Sequence, residues 1–206
     1  KKGSRQEIDN YRPISVLPPI AKAFERLICD QNYLHFESHE LFNVGQFGFR
    51  RGRSCELALS SMLDGWRDSL DNGDSLVAIF IDLKKAFDTI DRGLLLEKLK
   101  LYGFSGRSHG LMENLLTNRK YKVKLNGVES EIKNSDIGVP EGSITGPLLF
   151  IIFINDVCYL NTNSKMVLFA DDTTLFLRTK DPSQQKELLT EDMMLFTTWL
   201  DNNKLL

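Results

Sequence analysis

Cysteine is scarce in this 206-residue sequence: Cys29, Cys55 and Cys158 stand far apart, with no C-x-x-C pair. An odd count at such spacing excludes a disulfide framework and a thiolate zinc site, and fits reduced thiols inside a cell. Histidine is equally rare. His35 and His39 are four residues apart but have no third ligand nearby in sequence, so they read as surface residues rather than a metal pair. Long apolar runs are missing, since the longest, Leu148 to Ile154, has seven residues, against roughly 20 for a membrane span. Residues 1–15 mix Lys, Arg, Glu and Asp without an apolar stretch, which excludes a signal peptide there. Nor is there a surplus of one charge: 26 Lys plus Arg face 28 Asp plus Glu, for a net charge of −2. Taken alone, that total argues against a nucleic-acid binder. Repeats, low-complexity tracts and linkers are absent as well. The 42% hydrophobic content suffices for a core, and the chain reads as one continuous folded unit.

What is present divides into helical and strand periodicities. Pro18-Pro19 precede Ile20, Phe24, Leu27, Ile28 and Leu34 at helical spacing, which predicts a helix burying that face. A Gly- and Arg-rich loop, Val44 to Arg53, follows. Ser54 is placed to cap a helix that buries Leu57, Met62, Leu63, Trp66 and Leu70 and closes at Asp71-Asn72-Gly73. Leu76 to Ile81 is too short for a helix and suits a strand buried on both faces. It stops at Asp82. Leu94 to Tyr102, ended by Gly103, and residues 108–117 read as helices. Tyr121, Val123 and Leu125 alternate with Lys120, Lys122 and Lys124, the period of a half-exposed strand with a lysine face. Asn126-Gly127 then signals a type I′ hairpin, returning through Ile132. Gly146-Pro147 opens a helix over 148–159, with Leu148 to Phe153 in the core. Met166 to Ala170 and Thr173 to Leu177 read as strands on either side of Asp171-Asp172. A last helix covers 183–204, after Asp181-Pro182.

Acid at the ends of apolar strands is the informative feature. Asp82 follows Leu-Val-Ala-Ile-Phe-Ile, and Asp171-Asp172 separate Val-Leu-Phe-Ala from Thr-Thr-Leu-Phe-Leu. A carboxylate beside a hydrophobic interior is costly unless it is paired or binds a cation. Adjacent acids repel, and Mg²⁺, which takes one or two carboxylates plus substrate phosphates, relieves that repulsion. If Asp82 and Asp171 lie side by side on neighbouring strands, they could bridge two metals about 3.5–4 Å apart. One metal would activate an attacking hydroxyl and the other steady a leaving pyrophosphate. Spacing alone leaves a second reading open, in which Asp171-Asp172 form a polar turn and Asp82 caps a helix. Asp88 and Asp91 read as caps of the helix that follows.

Five segments stand in one order along nearly the whole chain. They are Asn10-Tyr-Arg-Pro-Ile-Ser15, Gln46-Phe-Gly-Phe-Arg-Arg-Gly-Arg-Ser54, Phe80-Ile-Asp-Leu-Lys-Lys-Ala-Phe-Asp88, Gly138-Val-Pro-Glu-Gly-Ser143 with Gly146-Pro-Leu-Leu-Phe150, and Phe169-Ala-Asp-Asp172. Together they resemble the reverse transcriptase domain of non-LTR (LINE-like) retrotransposons. The resemblance implies an α+β fold: a right-hand polymerase palm, its antiparallel sheet backed by helices on one face, with partial fingers. Residues 1–74 would be the fingers portion and 75–206 the palm, in a single domain truncated at both ends, with the thumb absent. It further implies an RNA-directed DNA polymerase that adds dNTPs to a primer 3′-hydroxyl by two-metal phosphoryl transfer in retrotransposition. Two Mg²⁺ ions, or Mn²⁺, would serve it. Its partners would be an RNA template, a DNA primer and dNTPs, without a membrane, and an endonuclease domain is expected elsewhere in the polyprotein. The expected location is intracellular, in a cytoplasmic ribonucleoprotein and the nucleus.

By the same resemblance, Asp82, Asp171 and Asp172 stand at the family's catalytic, metal-binding aspartates. Phe87 matches the bulky gate packed under C2′, where a ribonucleotide's 2′-hydroxyl would clash. Arg12 matches a fingers residue on the incoming triphosphate, with Lys2 near an equivalent lysine. Gly142 stands where backbone packs against the template–nucleotide pair. Arg50, Arg51 and Arg53 look like template-strand contacts, and Lys120, Lys122 and Lys124 add a second basic stretch for nucleic acid.

Three positions depart from the family pattern: Glu141 where Gln is usual, Thr145 where an aliphatic residue is, and Cys55 in place of Thr. Glu141 puts negative charge near template and nucleotide. These changes fit a decayed copy and keep open an alternative, an inactive or domesticated remnant that only binds RNA or a partner. With no thumb, the polypeptide alone is expected to be a poor polymerase. RNA-dependent RNA polymerases usually have a small or acidic residue at the position of Phe87, and Gly at that of Ala170. Group II intron maturases generally carry Tyr at the position of Phe169. The −2 total then hides placement, because the bases concentrate at Arg50 to Arg53 and Arg119 to Lys124, with no acid between them in sequence.

Overall fold

The computed structural model describes residues 14–205, so Arg12, Lys2 and most of the first motif lie outside the described residues. Helix α1 (Pro19–Ser38) starts at the expected prolines, where a missing N–H costs nothing because the first helical amides have no intrahelical partner. Its buried face differs from the expectation. Glu25, Ile28, Tyr33 and Phe36 point inward, whereas Ile20 is 82% exposed and Phe24, Leu27 and Leu34 are exposed with it. The helix carries two apolar stripes, and its neighbours choose between them. Phe36 packs on Phe42, Tyr102 and Phe104, and Glu25 Oε2 accepts the Ile144 amide at 2.9 Å.

Helix α2 (Cys55–Asp71) is capped as expected, with the Leu57 amide donating to Ser54 Oγ at 3.2 Å. It too is rotated from the expected face. Ala58 and Ser69 are buried and Met62 and Trp66 half-buried, while Leu57, Leu63 and Leu70 are exposed. The physical reason is close approach to the sheet. A Cβ on Gly65 would sit 3.2 Å from the Phe176 ring, so the face that meets the sheet has to be small.

Three strands form that sheet, β1 (Ser75–Asp82), β6 (Lys165–Phe169) and β7 (Asp172–Thr179), antiparallel in the order β1-β7-β6. Among the described residues β1 is therefore an edge strand, only half-buried, and Phe80 is 69% exposed. The expected burial on both faces does not hold, because an edge strand has a neighbour on one side only. Alternation divides the side chains between two layers. Ile81 and Leu168 join the main core, whereas Ala78, Val167 and Phe176 meet Trp66 and Met62 of α2. The main core also takes in short α3 (Ala86–Thr89), α4 (Arg92–Leu101), α5 (Gly106–Leu116), α6 (Gly146–Ile154) and α7 (Gln185–Asn202). Every residue from Leu148 to Ile154 is buried. This cluster joins Ile28, Phe36 and Phe42 to Leu95, Phe150 and Phe196, so one core runs across residue 74.

Residues 119–135 form an arm of two short ladders. β2 (Arg119–Tyr121) pairs with β5 (Lys133–Ser135), and β3 (Lys124–Leu125) with β4 (Val128–Glu129). Asn126 and Gly127 both have positive φ, +50° and +84°, as a type I′ turn requires. The expected half-buried strand is instead exposed at Tyr121, Val123, Leu125 and Val128, because a two-stranded ribbon with no layer against it has no face to bury. His35 also departs from the surface assignment. Its Nε2 donates to the Tyr102 carbonyl at 2.7 Å and its ring meets Phe104 edge-on, tying α1 to the end of α4.

Candidate active site

The β6–β7 hairpin turns through two residues, Ala170 and Asp171, with Phe169 paired to Asp172 across it. Ala170 adopts φ +57°, a left-handed conformation that non-glycine residues rarely take. The β1–β7 register sets Asp82 directly opposite Asp172, with Asp171 one residue before it in the turn. Asp171 is consumed by the turn, so the strand that faces β1 begins one residue later. Partial burial, then the charges of Asp171 and Asp82, push the Asp172 carboxyl above its ordinary pKa. The three carboxylates thus lie within electrostatic reach of one another at one sheet end.

Among the described residues, no group of three or more His, Cys, Asp or Glu side chains could hold a metal ion by itself. The donor set is nonetheless all oxygen, acidic and mutually repelling, which suits a hard divalent cation whose remaining ligands are phosphate and water. Asp82, Asp171 and Asp172 would hold it.

Phe87 sits on α3 beside this end of the sheet. It stacks on Phe150, with centroids 4.4 Å apart and planes 18° from parallel, and meets Phe49 edge-on at 6.1 Å. Its carbonyl accepts the Val139 amide at 2.8 Å, and that of Ile90 accepts the Gly138 amide at 2.7 Å. Loop 138–142 is therefore laced to α3. Gly142 has φ +97°, and a Cβ there would lie 2.9 Å from the Ser15 carbonyl oxygen. Glycine is needed for that close approach. The Ser15 amide completes the contact by donating to the Glu141 carbonyl at 2.8 Å.

The three arginines of the glycine-rich loop differ in their surroundings. The Arg50 side chain is 11% exposed, pairs with Glu37 at 3.1 Å, donates to the Asn43 carbonyl and lies over Phe42. Arg51 pairs with Asp30 and lies over Tyr33, while exposed Arg53 lies over Phe47. Lys120, Lys122 and Lys124 stand on the separate arm. Sequence adjacency shows no acid among them, but the return strand brings one. Glu129 pairs with Lys122 at 2.5 Å and Lys124 at 3.4 Å, and both lysines hold its carboxyl below the ordinary range. Asp91 is the expected cap, accepting the Leu94 amide at 2.9 Å, and it also pairs with Lys204.

Two residues beside the site escaped the sequence reading. Buried Arg92 donates to the carbonyls of Gly138, Leu116, Ser135 and Ile137 and to Ser135 Oγ. Gln46, 0% exposed, reaches the Ala170 amide. These long-range contacts have no local sequence signal, because the partners concerned are 24 to 124 residues away.

An antiparallel sheet with carboxylates gathered at one hairpin, backed by helices, defines the palm of a nucleic-acid polymerase. The fold is similar to telomerase from Candida tropicalis solved with a TWJ fragment of telomeric RNA, with a TM-score of 0.56 at 12% identity over 79% of this chain and 29% of that one. Apo telomerase from the same organism gives 0.56 at 13% identity, over 83% and 33%. Residues 1–206 match the family described as reverse transcriptase (RNA-dependent DNA polymerase), and the chain belongs to it. The RNA-directed DNA polymerase from mobile element jockey of Drosophila melanogaster is 29% identical over 203 residues, covering 95% of this chain and 22% of that protein. The probable RNA-directed DNA polymerase from transposon X-element of the same fly is 29% identical, with 94% and 22% covered. The chain thus spans about a fifth of the length of these relatives.

Proposed function

We propose that this chain carries out RNA-templated DNA synthesis in the mobilisation of a retrotransposon, adding dNTPs to a primer 3′-hydroxyl. The observation that carries the reading is the gathering of Asp82, Asp171 and Asp172 at one end of the sheet, where desolvation and then the charges of its two neighbours raise the pKa of Asp172. The names of the mobile-element relatives point the same way. When bound, two divalent ions would activate the attacking hydroxyl and stabilise the departing pyrophosphate. The aspartates hold that charge at the end of the sheet. Phe87, braced by Phe150, offers a rigid wall against the sugar. Gly142 lets backbone approach the nascent pair, and Arg12 would meet the triphosphate. Arg53 and Lys120 offer cationic groups to template phosphates, and Arg50, Arg51, Lys122 and Lys124 do so to the extent that their acidic partners release them. In this scheme the arginine loop belongs to a fingers portion, 1–74, and the catalytic sheet to a palm, 75–206.

The test is extension of a DNA primer on an RNA template with dNTPs and Mg²⁺, using this chain within its full natural reading frame, beside Asp171→Ala. Metal-dependent extension that Asp171→Ala abolishes is the expected result. Equal extension by that variant, or RNA binding with no extension by the parent, overturns the assignment. The second outcome would mark an inactive remnant.

A further inference from the structure

The segment Gly45 to Phe49 lies against the open edge of β6. The Leu168 amide donates to the Gly45 carbonyl and the Phe47 amide to the Leu168 carbonyl, both at 2.8 Å, with Gln46 bridged to Leu168 in parallel. From this position the Gln46 side chain reaches past the strand to the catalytic turn. Its Oε1 accepts two amides, Gly48 at 2.7 Å and Ala170 at 3.1 Å. Among the described residues its Nε2 makes no hydrogen bond, so the carbonyl end alone links it to these amides. Gly48 lies so close to the same peptide that a Cβ would fall 2.2 Å from the Ala170 nitrogen. One residue further on, Phe49 meets Phe87. A single short segment therefore touches both the turn that presents the aspartates and the wall of the nucleotide site.

Ala170 needs such support. It holds a positive φ without being glycine, directly before Asp171, and residues in that region persist only when their surroundings over-determine them. A buried amide left unpaired would also favour turning outward to water. We propose that Gln46 is a positioning residue, whose side-chain carbonyl fixes the Ala170 amide and so orients Asp171 and Asp172 toward Asp82 for cation binding. The role in activity rests on the polymerase reading above, whereas the turn and its cation binding can be measured without it.

The test compares the parent chain with Gln46→Met, which keeps length and volume but removes the acceptor. A second variant, Gly48→Ala, pushes the Ala170 peptide away while leaving Gln46 intact. Three readouts are taken: exchange of the Ala170 amide by NMR, Mn²⁺ affinity by electron paramagnetic resonance, and primer-extension kinetics. In the parent, the Ala170 amide exchanges far more slowly than an unstructured amide. Both variants abolish that protection while the amides of α6 stay protected. Mn²⁺ affinity falls by about 10- to 100-fold, the usual effect of losing a group that orients metal ligands. Turnover falls with it, and KM for dNTP does not change. An unprotected Ala170 amide in the parent overturns the proposal even if neither variant folds, as does a folded Gln46→Met with parental Mn²⁺ affinity. Absence of extension by the parent overturns the proposed activity alone, because exchange and Mn²⁺ binding still decide the role of Gln46.

Discussion

Replacing Arg92 by Met should destabilise the fold through the loop that carries Gly142. Arg92 is 6% exposed, and its guanidinium donates to Gly138 O at 2.7 Å, Leu116 O at 3.0 Å, Ile137 O at 2.9 Å, Ser135 Oγ at 2.7 Å and Ser135 O. Burial, then the neighbouring charge of Arg119, pulls its pKa below the ordinary value, so part of the gain from these bonds is already spent on desolvation. The bonds to Gly138 and Leu116 are the fully buried ones. Leaving those two carbonyls unpaired costs about 1–3 kcal/mol each. Water can replace the guanidinium at the partly exposed acceptors, and relief of the buried charge offsets some of the loss. A net cost of about 2–4 kcal/mol follows. For a chain of this size that corresponds to a fall in Tm of roughly 4–16 °C. Urea unfolding of Arg92→Met beside Arg92→Lys measures it, and lysine, with three donors, should recover part of the loss. Stability of Arg92→Met within about 0.5 kcal/mol of the parent, the range of ordinary surface changes, would refute the reasoning.

Asp172→Asn should stabilise the metal-free protein, and the gain should depend on pH. The folded-state pKa of Asp172 is raised, so its destabilising charge is absent below the ordinary carboxylate pKa and develops as pH rises through and above it. Thermal unfolding should therefore separate variant from parent near pH 7 but not near about pH 3, and Mg²⁺ should raise the parent's Tm more than the variant's. A separation that persists in acid counts against the ionised Asp172 carboxylate as the cause. Phe87→Ala removes the ring stacked on Phe150 and should raise ribonucleotide use relative to dNTPs by at least about tenfold in kcat/KM. An unchanged ratio removes Phe87 from the gate.

Local chemistry proved readable, and long-range choice did not. Ser54 as a cap, the Asn126-Gly127 turn, the strand that stops at Asp82 and the apolar α6 all stand where residue chemistry put them, since each depends on neighbours a few positions away. Helical periodicity told which residues of α1 share a face, yet not which of its two apolar stripes the fold would bury. The pairing of Asp82 with Asp172 depended on a one-residue detail of the hairpin. Glu129 could not be assigned to the lysines until the arm folded back. The contacts of Gln46 to Ala170 and of Arg92 to its carbonyls come from tertiary proximity alone.

β1 has a consequence for how an inactive control should be made. Among the described residues its outer edge pairs with no strand, and Leu76 to Ile81 carry no charge. An uncharged, apolar edge of this kind invites strand addition and aggregation. Asp74 and Asp82 flank the run as gatekeepers. Neutralising Asp82 to silence chemistry would also strip one of those guards, and lost activity could then reflect self-association. Asp171, in the β6–β7 turn and not on β1, can be neutralised without stripping a charge from that edge.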